Sequence, residues 1–131
     1  MERIPVLRLE DILVITVQSD MHDRLALALQ EDLTDNIRRT GARGVLIDIS
    51  GLQIVDSFTG RILRDISAVS RLLDAQTVVV GMQPEVAMTL VELGLSLEGV
   101  RTALDLDKGM ALLRKLIKGR RGGADRGNQT G

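Results

Sequence analysis

Between Asp48 and Gly60 the chain reads Asp-Ile-Ser-Gly-Leu-Gln-Ile-Val-Asp-Ser-Phe-Thr-Gly, and this stretch holds the one hydroxyl whose surroundings suggest chemistry. Ser57 falls where an apolar strand and turn give way to an amphipathic helix. A helix N-terminus carries unpaired N–H groups and a partial positive charge, so it tolerates a phosphate better than most surface positions. The chemistry open to Ser57 is that of a phosphate acceptor. Other reactions lack their parts. A serine hydrolase needs Gly-x-Ser-x-Gly and a histidine base, whereas this chain has Val-Asp-Ser-Phe-Thr and a single histidine, His22, expected to be exposed at the start of another helix. An aspartate acceptor of the receiver type could be sought at Asp48, but an acidic pair after the first strand and a lysine after the last are not well placed. A nucleotide site lacks its Gly-rich phosphate loop. Without cysteine there is no thiolate, disulfide or cysteine-ligated metal.

The helix that follows Ser57 must do the positioning. Successive helical residues turn by about 100 degrees, so Phe58, Ile62, Ile66, Val69 and Leu73 share one face, while Ser57, Arg61, Arg64, Ala68 and Arg71 share the next. The first is the expected core face, with Phe58 as an anchor. The second is a polar stripe with Ser57 at its head. Two caps are open. If Asp56 is the N-cap, its carboxylate takes the N–H of Phe58 or Thr59 and the Ser57 hydroxyl stays uncommitted; if Ser57 is the cap, its role is structural. Residue types alone favour the serine.

Around this helix the chain alternates. Val6 to Leu9 and Ile12 to Gln18 read as a short strand pair. A helix over about Met21 to Thr40 follows, with Asp20 a candidate cap and Leu25, Leu29, Leu33 and Ile37 as its buried stripe. Leu27 stands off that stripe and is a candidate assembly contact. Val45 to Ile49 is a compact strand, the Ser57 helix runs to about Leu73, and Thr77 to Gly81 is another strand. Pro84 opens a helix that stops at Gly94, the positions these residues favour. Val100 to Leu104 is extended, and a last helix spans about Asp107 to Ile117. Strands alternating with helices in 131 residues, 44% of them hydrophobic, predict one α/β domain with a partly parallel sheet. Residues 118–131 are glycine-rich and nearly devoid of apolar side chains, which predicts a disordered basic tail. One aromatic residue and a net charge of −1 argue against nucleic-acid binding. No apolar run reaches membrane-spanning length, and the start does not read as a signal peptide, so a soluble cytoplasmic domain is the expectation.

At this point the residues reach a family. Asp48-Ile49-Ser50-Gly51-Leu52 followed by Val55-Asp56-Ser57 resembles the phosphorylation-loop signature of STAS domains, the fold of bacterial anti-sigma-factor antagonists. Gly81-Met82-Gln83-Pro84 with Ala87, Thr89-Leu90 and Glu92-Leu93-Gly94, and then Thr102 to Gly109, are similar to the stressosome branch of that family. The similarity covers about Ile4 to Leu116.

The resemblance implies a single STAS domain over 1–117, with a mixed, mostly parallel sheet packed with about four helices. It implies a non-catalytic scaffold of the single-domain type, without cofactor or metal, that captures a switch serine kinase of the RsbT type and releases it when phosphorylated on Ser57. It also implies co-assembly with longer RsbR-type paralogues, a PP2C-type phosphatase as a further partner, and contacts to partners around Asp56, Phe58, Thr59, Gly60 and Arg61. The alternative is a simple anti-sigma-factor antagonist that binds an anti-sigma kinase directly. Those usually read Ser-Ser-Gly-Leu where this chain has Ser57-Phe58-Thr59-Gly60, which favours kinase capture.

Overall fold

The computed structural model describes residues 3–18, 21–95 and 97–130, with side chains described as far as Gly119. Five strands and four helices follow in the order β1 (Leu7–Leu9), β2 (Ile12–Thr16), α1 (Asp23–Thr40), β3 (Gly44–Asp48), α2 (Ser57–Leu72), β4 (Gln76–Val80), α3 (Pro84–Glu92), β5 (Arg101–Ala103) and α4 (Leu106–Thr130). The strands form one sheet in sequence order. β1 and β2 are an antiparallel pair, and β2 to β5 run parallel. This is the α/β domain with a partly parallel sheet that the alternation predicts, in the mixed, mostly parallel form that the resemblance implies.

The period of two along each strand divides the core. Leu13, Ile15, Val45, Ile47 and Val79 face one way and pack with Leu29 and Leu33 of α1, Leu63 and Ile66 of α2, and Val86 and Leu90 of α3. Ile12, Val14, Leu46, Val78 and Val80 face the other way, against Met110 and Leu113 of α4. Register makes the split continuous across strands, with Val14 opposite Leu46 and Leu46 opposite Val78. With both faces covered, the central strands read as unbroken aliphatic runs. Each such side chain, fully buried, contributes about 1.5–3 kcal/mol. α4 comes close because Gly109 has no side chain; a Cβ there would overlap Val80 and Leu46.

Two boundaries differ from the sequence reading. Asp20, the expected cap of α1, lies outside the described residues; the N-cap is His22, whose Nδ1 accepts the Leu25 N–H at 3.3 Å. His22 is exposed as expected, yet it terminates the helix. The backbone of α4 stays helical to Thr130, beyond the expected end near Ile117. Glycines 119, 122, 123 and 127 each cost about 1 kcal/mol in a helix interior. Among the residues whose side chains are described, Ile117 is the last of α4 that packs on the core.

Candidate functional site

The site is built at the carboxyl ends of the parallel strands, where open α/β sheets present their functional loops. The Asp48 carbonyl at the end of β3 accepts the Val17 N–H at 3.0 Å, and the Ile49 N–H donates to the Val80 carbonyl at 3.0 Å. The base of the loop is thus held from both neighbouring strands. The Asp48 carboxylate accepts the Ser50 N–H at 2.9 Å, closing an Asx turn, which commits it to structure. Leu52 and Val55 are then buried and anchor the loop on the core, while Ile54 between them is 79% exposed. The next junction, between β4 and α3, buttresses this one. Gly81 at φ 77° lies against Ser50, and the Gln83 side chain donates to the Ser50 carbonyl at 3.4 Å.

The cap is decided in favour of the aspartate. Asp56 is the N-cap of α2, in extended backbone, with its Oδ1 accepting the Thr59 N–H at 2.8 Å. That bond holds the Asp56 carboxyl below its usual range, with the Thr59 hydroxyl adding to the effect against a small opposing cost of burial. Ser57 occupies the first helical position, exposed, and among the described residues nothing hydrogen-bonds its hydroxyl. The competing reading, Ser57 as its own helix's cap, is therefore corrected. The position decides it, because only the residue in extended backbone just before the helix can reach the free N–H groups.

Not all of the expected contact residues face outward. Asp56, Ser57 and Arg61 are exposed and Phe58 is half-buried, whereas Thr59 and Gly60 are turned into the core, Thr59 being 3% exposed. A Cβ on Gly60 would overlap Leu95, so this turn of α2 packs too closely to offer a side chain to a partner. The buried face of α2 is also turned from the one periodicity suggested. Ile62 and Ile66 are buried as expected, but Phe58, Val69 and Leu73 are only half-buried, and Leu63, Ser67 and Ser70 take the interior. The serines are tolerated there because their hydroxyls donate to the carbonyls of Leu63 and Ile66 at 2.7 and 2.8 Å. The polar stripe of Ser57, Arg61, Arg64, Ala68 and Arg71 is exposed throughout. Arg71 at its foot is engaged with the Glu98 carbonyl at 2.6 Å, while Arg61, one turn from Ser57, makes no hydrogen bond or ion pair among the described residues.

Among the described residues there is no cluster of metal-ligating side chains, and no helix is long and apolar enough to cross a membrane. What this geometry offers is an exposed, uncommitted hydroxyl at a positively polarised helix end on a rigidly held loop.

The profile of the STAS domain matches residues 3–108. The chain belongs to the STAS-domain family. Among solved structures it is similar to a serine-to-glutamate variant of RsbS from Moorella thermoacetica, 38% identical, with a TM-score of 0.79 over 89% of this chain and 99% of that one. A chain from a structure of the stressosome, a signal integration and transduction hub, is 41% identical, with a TM-score of 0.78 over 86% of this chain and 98% of that one. The RsbT co-antagonist protein RsbRA of Bacillus subtilis is 33% identical over 77% of this chain. The match takes in 37% of that relative's own length. Within the STAS family the likeness is to stressosome proteins of the RsbS and RsbR types, and the fold is shared with anti-sigma-factor antagonists.

Proposed function

We propose that this chain is a non-catalytic scaffold that captures a switch serine kinase of the RsbT type and releases it once Ser57 is phosphorylated. The observation that carries this reading is the division of labour at the start of α2: Asp56 satisfies the helix end, so the Ser57 hydroxyl is free to react. A phosphate there would carry about −1.5 to −2 charges. It would sit at the positive end of the α2 dipole with the Arg61 guanidinium four residues on, so the modified chain stays folded. A partner seated on the loop meets new charge and bulk and leaves. The likeness to RsbS, and to relatives named as RsbT co-antagonists, supports the choice of kinase and of RsbR-type paralogues as assembly partners in the cytoplasm. A PP2C-type phosphatase would return the serine to its free form.

Incubation of the chain with its cognate RsbT-type kinase and ATP tests the proposal. Intact mass and fragment mapping are expected to show one phosphate, on Ser57. Modification of Ser57→Ala to the same extent would end this reading.

A further inference from the structure

A cleft of about 410 Å³ runs between α1 and α2, and Phe58 and Arg61 line it. It therefore begins within one turn of Ser57. Leu27 and Ile62 complete its apolar wall, and Asp23 and Asp65 add carboxylates. Leu27 of α1 is 59% exposed and Phe58 of α2 half-buried, so apolar surface is left open on both walls of the cleft, beside the acceptor hydroxyl. Clefts beside Arg71, beside Val69 and beside Ile4 do not reach the first turn of α2.

Resting on the functional reading above, we infer that this cleft is the anchor point of the kinase: it receives an apolar side chain of the kinase, flanked by a cation that meets Asp23. The argument is one of reach and charge. A kinase that acts on Ser57 must seat itself over the start of α2, and a stable interface covers about 800 Å² per partner. Such a footprint, centred on Ser57, takes in Phe58 and Arg61 and hence the cleft mouth. Interfaces draw their affinity from apolar side chains that fill a pocket near the centre. Asp65 is paired with Arg64 at 3.6 Å, so the carboxylate of the cleft wall left for a cation of the partner is that of Asp23. The same placement links cleft and switch. Arg61 lines the cleft while Ser57 is unmodified, and a phosphate on Ser57 offers this guanidinium a second, more highly charged partner four residues away, so modification alters the docking wall as well as the loop.

The test compares Leu27→Asp with Leu72→Asp, binding each purified chain to the cognate RsbT-type kinase without ATP. Leu72 is 86% exposed and lies at the far end of α2, about 22 Å from Ser57 along the helix axis, outside the footprint. Leu27→Asp is expected to weaken binding about tenfold or more, and Leu72→Asp to stay within about twofold. Leu27→Ala, which introduces no charge, is expected to fall between them, and thermal melts confirm that all three fold. Equal affinity of Leu27→Asp and wild type overturns the assignment, as does equal weakening by Leu72→Asp. Loss of self-association in Leu27→Asp with kinase affinity intact would give the cleft to a second copy of the chain and overturn it too. Absence of kinase binding by the wild type would instead sink the functional reading itself, together with the cleft.

Discussion

Two helices of this domain begin at equivalent places, each just past the carboxyl end of a parallel strand, and they are started in opposite ways. α2 opens with Asp56, whose carboxylate takes a helix N–H and leaves a free hydroxyl at the next residue. α3 opens with Gln83, whose side chain makes no capping bond, followed by Pro84, which removes an N–H instead of satisfying it. The second junction offers no acceptor group; its Gln83 and Gly81 lean on Ser50 of the first. Topology therefore supplies two junctions of the same kind, and local chemistry leaves a free hydroxyl at one and makes the other its support.

The largest effect is expected from charge at the first junction. Phosphorylation of Ser57 should lower kinase affinity more than a hundredfold, about 3 kcal/mol. Ser57→Asp should weaken it only in part, because it carries one charge and lacks the third acceptor oxygen. Placing the acceptor type at the other junction, with Glu85→Ser, should give no modification by the same kinase. Titration and mass mapping check all three, and a phosphate on that introduced serine would break the contrast between the junctions.

The supporting role of the second junction is tested by Gly81→Ala. The new Cβ would lie 2.7 Å from the Ser50 Cβ and 2.9 Å from its backbone, at a φ of 77°. Left-handed backbone and overlap with main chain should together cost about 2–3 kcal/mol in a urea titration. Unchanged stability would mean that the two loops are not coupled.

Next come the caps. Asp56→Ala should cost about 1 kcal/mol, whereas Gln83→Ala should cost under about 0.5 kcal/mol since no cap bond is lost. The Asp56 difference should depend on pH in a definite direction. Its carboxyl is held low in the folded chain by the Thr59 N–H. The stability gap between wild type and Asp56→Ala is therefore full above the unfolded carboxylate value of about 3.9, and closes as pH falls through the lower folded-state value. Melts across acid pH measure it; a gap that widened on acidification would contradict the cap.

The smallest effect belongs to Arg61. Arg61→Ala should leave the stability of the unmodified chain nearly unchanged and lower that of the phosphorylated form by a few tenths of a kcal/mol up to about one. Melts of both forms separate the two. Equal losses would show that Arg61 does not meet the phosphate.

By its own periodicities the amino-acid sequence determined the alternating α/β plan, the α1 stripe of Leu29, Leu33 and Ile37, whose fourth expected member, Leu25, is only half-buried, the proline that starts α3, and Ser57 as the hydroxyl at a helix start. These are local properties, set by residue spacing and backbone preference, so they can be read one segment at a time. The tertiary structure decided what spacing leaves degenerate. A shift of one residue decided that Asp56 caps and Ser57 is free, since both types are good caps and only the chain path into α2 chooses between them. Packing against the sheet and against Leu95 turned Thr59 and Gly60 inward and let Ser67 and Ser70 displace Val69 and Leu73 from the interior, because their hydroxyls are satisfied by the helix's own carbonyls. The cleft beside Ser57 exists only where α1 and α2 lie side by side, between residues such as Leu27 and Phe58 that are far apart in sequence and so share no local signal.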